Sequence, residues 1–233
     1  MPKQKKAVPE VQNNDGQQMR RKGQEKRQRL IDATVALLGR SSLSALRMAD
    51  IAREAGTSMP NFYLYFKGTL DVVFAAVEQC SMASPEVMEA LEPPWTPAHL
   101  PGHARRFVDA YLAHWQAHGP VLRARAMLVA EGDERFIAAE GESALPVLLA
   151  LTARFDDLVP GRQRPGGFHA TSAAGVLLAM LDRLASYLPG GPNVYGVTAT
   201  SLTDAATRMV VLAASDARAI ESEPRPRRAN TRP

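Results

Sequence analysis

The sequence predicts an all-α protein with a small N-terminal head, a linking helix and a larger helical body. Three observations predict it. Met48 to Phe66 reads as two short helices about a tight turn. From Ala104 onward, apolar residues recur at helical spacing through one segment after another. No run of any length alternates with the period of two that a half-buried strand needs, and no internal repeat stands out.

Residues 1–23 are poor in apolar side chains and rich in Lys, Gln, Asn and Arg, so a disordered basic arm is expected there. A helix then begins near Glu25. Leu30, Ile31, Thr34, Leu37 and Leu38 form one face, Lys26, Arg27 and Arg29 decorate its first turns, and Gly39 ends it. In the next helix Met48, Ile51, Ala52 and Ala55 share a face, and Gly56 supplies the positive φ that ends it. Ser58 is placed to cap a third helix with Pro60 in its first turn. Phe62 and Phe66, four apart, anchor that helix inward. Asn61, Tyr63, Leu64 and Tyr65 are left toward its other faces. An amide, two phenols and a bare leucine make a poor solvated surface and a good one for base edges and phosphates. Thr69 is expected to cap a linking helix carrying Leu70, Val73, Phe74 and Val77, with the head ending near residue 80.

In the body, Ala104, Phe107, Val108, Tyr111, Leu112 and Trp115 form a strong amphipathic series. Gly119-Pro120 is expected to end that helix and start another with Leu122, Met127, Leu128 and Val129, up to Gly132. Leu145, Leu148, Leu151, Phe155 and Leu158 make a further face, with Pro146 at a start or kink. Pro160 to Gly167 and Pro189 to Pro192 read as loops. The segments 173–188 and 200–214 are too apolar for a monomer's surface and are lined by small residues, among them Ala173, Ala174, Gly175, Ala179, Ala205, Ala206 and Ala213. Packing across a two-fold axis, giving a homodimer, is their natural outlet. The domains expected are therefore 1–23, a basic arm; 24–80, the head with its linking helix; 81–217, the body; and 218–233, a disordered basic tail.

The net charge of +4 is unevenly spread. Residues 1–29 hold nine basic and three acidic side chains, a balance of +6, and residues 218–233 add +3, which leaves −5 for the rest. A basic arm ahead of a helix-turn-helix suits phosphate contact. No apolar run reaches the roughly 18 residues of a membrane span. The N-terminal residues are basic and polar with no apolar core segment, so no secretory leader is expected, and a single cysteine, Cys80, fits a reducing cytoplasm. No phosphate-binding glycine loop, serine elbow or paired-carboxylate motif is present, so an enzyme has nothing to stand on. His99/His103 and His114/His118 have metal-compatible spacing but no local Cys or carboxylate, so no metal and no cofactor are expected. Cys80 has neither a partner thiol nor a cationic setting visible in the sequence.

The run from Arg29 to about Glu78 resembles the N-terminal domain of TetR-family transcriptional regulators. The likeness rests on Ile31-x-Ala33, Asp50-Ile51-Ala52-x-x-Ala55-Gly56-Thr57-Ser58 and Phe62-Tyr63-x-Tyr65-Phe66. It implies a three-helix DNA-binding head, a linking fourth helix and a divergent all-helical body for effector binding and dimerisation. By motif position, Met59, Pro60, Asn61, Tyr63, Leu64 and Tyr65 fall where the family reads or grips DNA. Ser58 and Arg27 join this set. Asn61 is placed for an adenine or a phosphate oxygen, Leu64 for a thymine methyl, and the tyrosine hydroxyls for phosphates. Arg47 and Lys67 flank the unit as phosphate clamps. Arg47 stands where the family commonly has Thr or Ser, and Thr69 where it tends to have Lys. Thr69 still offers a hydroxyl at a helix start.

The resemblance also implies a small-molecule site in the body, and Phe107, Tyr111, His114, Trp115, Arg125, Met127, Phe155 and Met180 are the residues expected to line it. The function expected is a cytoplasmic, homodimeric repressor of a double-stranded DNA operator, released by a small, largely hydrophobic effector. The alternatives are an effector-independent activator, or an all-helical enzyme or ligand-binding protein without a DNA role.

Overall fold

The computed structural model describes residues 21–158, 169–187 and 197–215. The expected arm and tail, and the two proline-glycine loops, fall almost wholly outside these residues. The described residues form nine α-helices and one short 3-10 turn, with no strand among them.

The chain divides into two compact units. The first holds Met1–Ser81 together with His118–Gly141; the second holds Met82–Ala117 and Glu142–Pro233. In the first unit, α1 (Arg21–Leu38), α2 (Met48–Glu54), α3 (Met59–Tyr63) and α4 (Thr69–Glu78) make up the head. Helix α1 includes the turn before its apolar face, where Arg21 pairs with Glu25 on the exposed side, 3.1 Å apart. Leu30, Ile31, Ile51, Phe62, Val72 and Val73 are buried and form the head's core. Gln28 of α1 and Gln79 after α4 exchange side-chain amide hydrogen bonds of 3.0 Å in both directions.

Gly56 sits at φ +63°. The Gly56 and Thr57 amides donate to Arg53 and Ala52 carbonyls at 3.1 and 2.9 Å, the paired bonds that close a helix on a left-handed residue. Two expected caps differ. Ser58 occupies the N-cap of α3 but its side chain makes no capping bond. At α4 the N-cap is Gly68, and Thr69 is the first helical residue.

The first unit is completed by the end of α6 (Leu100–Ala130) and the start of α7 (Glu134–Leu158). Arg135 donates to Asp71 of α4 at 3.0 Å, and the Phe74 and Phe136 rings meet edge to face 5.3 Å apart. Helix α6 runs unbroken through Gly119-Pro120, where the sequence suggests a break. A proline there loses one backbone bond and crowds the preceding turn, at roughly 3 kcal/mol. Burial of Val121 and Leu122 on the following turn holds the helix together against that cost. Pro146 likewise lies inside α7.

In the second unit, Pro85 opens α5 (Pro85–Leu91), with the Ser84 hydroxyl accepting from the Val87 amide. The body's core includes Trp95, Phe107, Val108, Leu151 and Phe155, and the α8 (Ala170–Tyr187) residues Leu177 and Leu181. Helices α8 and α9 (Ala199–Ser215) pack on one another. Helix α7 is long and apolar enough to cross a membrane by length and composition alone.

Candidate nucleic-acid interface

Helix α3 is five residues long and cannot hold itself. Phe62 holds it: its ring is fully buried, 6.0 Å from Phe66 and 6.0 Å from Tyr63. With Phe62 fixed, the 3.6-residue period turns the neighbours outward. Tyr63 is 48% exposed and Leu64 44%, while Asn61, Met59 and Tyr65 are half-buried and Pro60 and Ser58 are exposed.

Asn61 shares an open cleft of about 540 Å³ with Lys26 and Arg29 of α1, Arg53 of α2, and the turn residues Gly56, Thr57 and Ser58. Lys26 and Arg29 are exposed, and neither forms an ion pair among the described residues. Arg53 is partly neutralised by Asp50 at 2.5 Å. Three cations and an amide beside an exposed aromatic helix form a surface suited to a phosphate backbone and a groove of bases.

The other residues named from the sequence fall differently. The half-buried Arg27 guanidinium lies 5.0 Å from the centre of the ring of Phe66, just beyond α3. Burial pulls it below its usual pKa, opposed by the charge of Glu78. Arg47 folds its guanidinium onto the Ser44 and Leu46 carbonyls, at 2.7 and 3.2 Å, and so ties the 3-10 turn (Leu43–Ala45) to α2. Lys67 is exposed and its backbone amide donates to Asp71, leaving the side chain toward solvent. Thr69 is half-buried at the start of α4. Lys26 and Arg29 were missed as site residues. Their three-residue spacing, which sets both on one side of α1, was the available signal.

Of the eight body residues named for a ligand, Arg125 and Met127 belong to the first unit and the other six to the second. Phe107, Tyr111, Trp115 and Phe155 are buried in the core, His114 is nearly so, Met180 is half-buried and Met127 is exposed. Tyr111 and Trp115 are brought together by Asp182 of α8, whose Oδ1 accepts from the phenol at 2.7 Å and the indole N–H at 2.8 Å. Beside Phe155, the Trp95 indole stacks on His103. Partial burial, with Arg106, His99 and Arg154 nearby, pushes the His103 imidazole below its usual pKa. No cluster of three or more metal-ligating side chains occurs among the described residues.

The profile of bacterial regulatory proteins of the tetR family matches residues 30–76, the head. That of the tetracyclin repressor-like C-terminal domain matches residues 90–220, more than half of the chain. The chain belongs to the TetR family. Solved TetR-family structures share its fold. A regulator from Streptomyces coelicolor superposes with a TM-score of 0.60 at 21% identity, over 82% of this chain and 80% of the other. A putative regulator from Mesorhizobium loti gives 0.59 at 20%, over 84% and 98%. The fatty acid degradation regulator FadR from Bacillus halodurans gives 0.57 at 17%, over 83% and 96%. No curated protein matches the sequence. The TetR assignment makes the chain a transcriptional regulator with a helix-turn-helix DNA-binding domain.

Proposed function

We propose that this TetR-family chain is a cytoplasmic, homodimeric repressor that reads an operator with α3 and leaves it when a small molecule binds. The observation that carries the DNA-reading role is the α3 surface: Tyr63 and Leu64 stand out on a helix pinned by buried Phe62, beside a cleft lined by Lys26, Arg29 and Arg53. Leu64 and Asn61 choose sequence through base edges, and Lys26, Arg29, Tyr63 and Lys67 grip phosphates. Arg27 and Arg47 serve the head by supporting Phe66 and the turn before α2.

The dimer reading rests on α8 and α9. Beyond the residues they bury, Val176 and Tyr187 on α8 and Met209 and Leu212 on α9 remain exposed. With half-buried Leu202 and exposed Ala205, the α9 residues form a stripe at i, i+3, i+7 and i+10. Two such helices from each of two chains close as a four-helix interface and place two heads to read half-sites about 34 Å apart. An effector acts by binding the DNA-free arrangement more tightly than the DNA-bound one.

The test is selection of duplexes from a random pool, followed by gel shift. The wild type should retain an enriched palindromic sequence, with Tyr63→Ala and Leu64→Ala weakening it while the dimer persists. No enrichment, or enrichment untouched by both substitutions, would refute the role of α3.

A further inference from the structure

Arg125 is buried to within 2% of its surface, yet its guanidinium makes no hydrogen bond with any described residue. A guanidinium carries five donors, and folded proteins bury one only when its fork is met by carboxylates, phosphates or carbonyls. Here Nε and Nη1 lie wholly buried without an acceptor. Among the described residues its counter-charge is Glu140, whose Oε1 stands 3.4 Å from Nε. The Glu140 side chain is 36% exposed, so water competes for it. On α6 itself, Val121 and Leu122 one turn before Arg125 and Leu128 one turn after it share its face and are buried.

Two further groups share the location. The Cys80 thiol, just past the end of α4, lies 3.4 Å from His118 Nδ1. Burial pushes that thiol up in pKa, and the positive charge of Arg125 opposes the shift. The cationic setting that the sequence did not reveal at Cys80 is thus provided by α6. It is a cation with spare bonding capacity, placed where the linking helix ends.

We propose that the unbonded, buried Arg125 guanidinium receives the carboxylate of a small amphipathic organic acid, which displaces Glu140 toward solvent. A planar carboxylate fills the fork with two parallel N–H···O bonds, and one negative charge balances one positive charge in an apolar setting. A dianionic phosphate would leave an uncompensated charge there. The buried apolar face of α6 that Arg125 shares calls for a hydrocarbon body on the acid. As the effector site it rests on the reading of the chain as an effector-released regulator, and the experiment separates the two.

The experiment uses the full-length protein, with octanoate as probe and octanol as its uncharged counterpart. Thermal unfolding and gel shift on the selected operator are read for wild type, Arg125→Met and Glu140→Gln. Without ligand, Arg125→Met should melt no lower than wild type, because a buried charge without bonds contributes nothing that a methionine does not. Octanoate should raise the wild-type Tm and octanol should not. Binding should weaken at least tenfold in Arg125→Met and tighten severalfold in Glu140→Gln, where the internal competitor is lost. A lower Tm in Arg125→Met, no octanoate shift in wild type, or equal shifts in wild type and Arg125→Met would overturn the site. If octanoate stabilises the wild type as described but no operator is retained at any ligand concentration, the carboxylate site stands and the regulator reading fails.

Discussion

Removing Lys26 and Arg29 from α1 should change how DNA binding responds to salt, in a way that can be calculated. Both side chains are exposed and neither forms an ion pair among the described residues, so the head of the double variant Lys26→Ala/Arg29→Ala should fold unchanged. Alanine is also the better helix former. Each cation that neutralises a phosphate contributes about 0.9 to the slope of log affinity against log salt. Two per head and two heads per dimer give four phosphates, so the slope should become shallower by about 3.6. Over a fourfold rise in salt, that slope corresponds to roughly a hundredfold of affinity. The assay is fluorescence anisotropy of a labelled operator at several salt concentrations, with far-UV circular dichroism as the control on folding. Arg53→Ala alone should give a smaller change than either α1 cation, because Asp50 already holds that guanidinium at 2.5 Å. A double variant whose affinity falls while its salt slope stays that of wild type would refute phosphate contact by α1. So would an unchanged affinity.

Other expectations follow from the same contacts. Asp182→Ala strips the acceptor from two largely buried donors, Tyr111 and Trp115, at a cost of about 3 kcal/mol. Thermal unfolding should show a drop of about 6–12 °C, against a much smaller one for Asp182→Asn, which keeps an acceptor oxygen. Leu212→Glu in α9 places a charge on the exposed apolar stripe and should convert the dimer to monomers by light scattering, with the helix content unchanged. His103 has its folded pKa depressed below the usual value, so the unfolded chain binds the proton more readily. Its contribution is therefore fully present above about pH 6.5 and is lost as the pH falls through that value toward the folded pKa. His103→Gln should flatten urea-derived stability against pH in this range, and an unchanged profile would remove His103 as the cause.

The head was largely legible because its determinants are local. Gly56 must adopt a positive φ, and Phe62 must point inward if α3 is to exist at all. Both requirements appear as residue types at fixed spacing. The exposure of Tyr63 and Leu64 then follows from helical geometry. Arg27 and Arg47 were less legible. As bare sequence each is a cation near DNA-facing helices, and only packing reveals that one lies under Phe66 and the other binds carbonyls of the preceding turn. Gly119-Pro120 carried a local signal that the surrounding structure overrides, since buried Val121 and Leu122 keep α6 continuous. The environment of Cys80 was invisible for another reason: His118 and Arg125 come from a distant helix, and proximity across the chain leaves no mark on spacing.

The contacts of α4 with the start of α7 also set an order of events during synthesis. Helices α1 to α4 leave the ribosome first, but Phe136 and Arg135, which meet Phe74 and Asp71, are made some sixty residues later. Until His118–Gly141 has emerged, Phe74 lacks the Phe136 ring that it meets in the folded unit. At typical synthesis rates of about 5–20 residues per second, that interval lasts several seconds. A fragment cut near residue 80 would hold the nascent chain permanently in that state, with Phe74 uncovered and an inclination to aggregate. The first unit is thus completed late, when His118–Gly141 joins the helices made first.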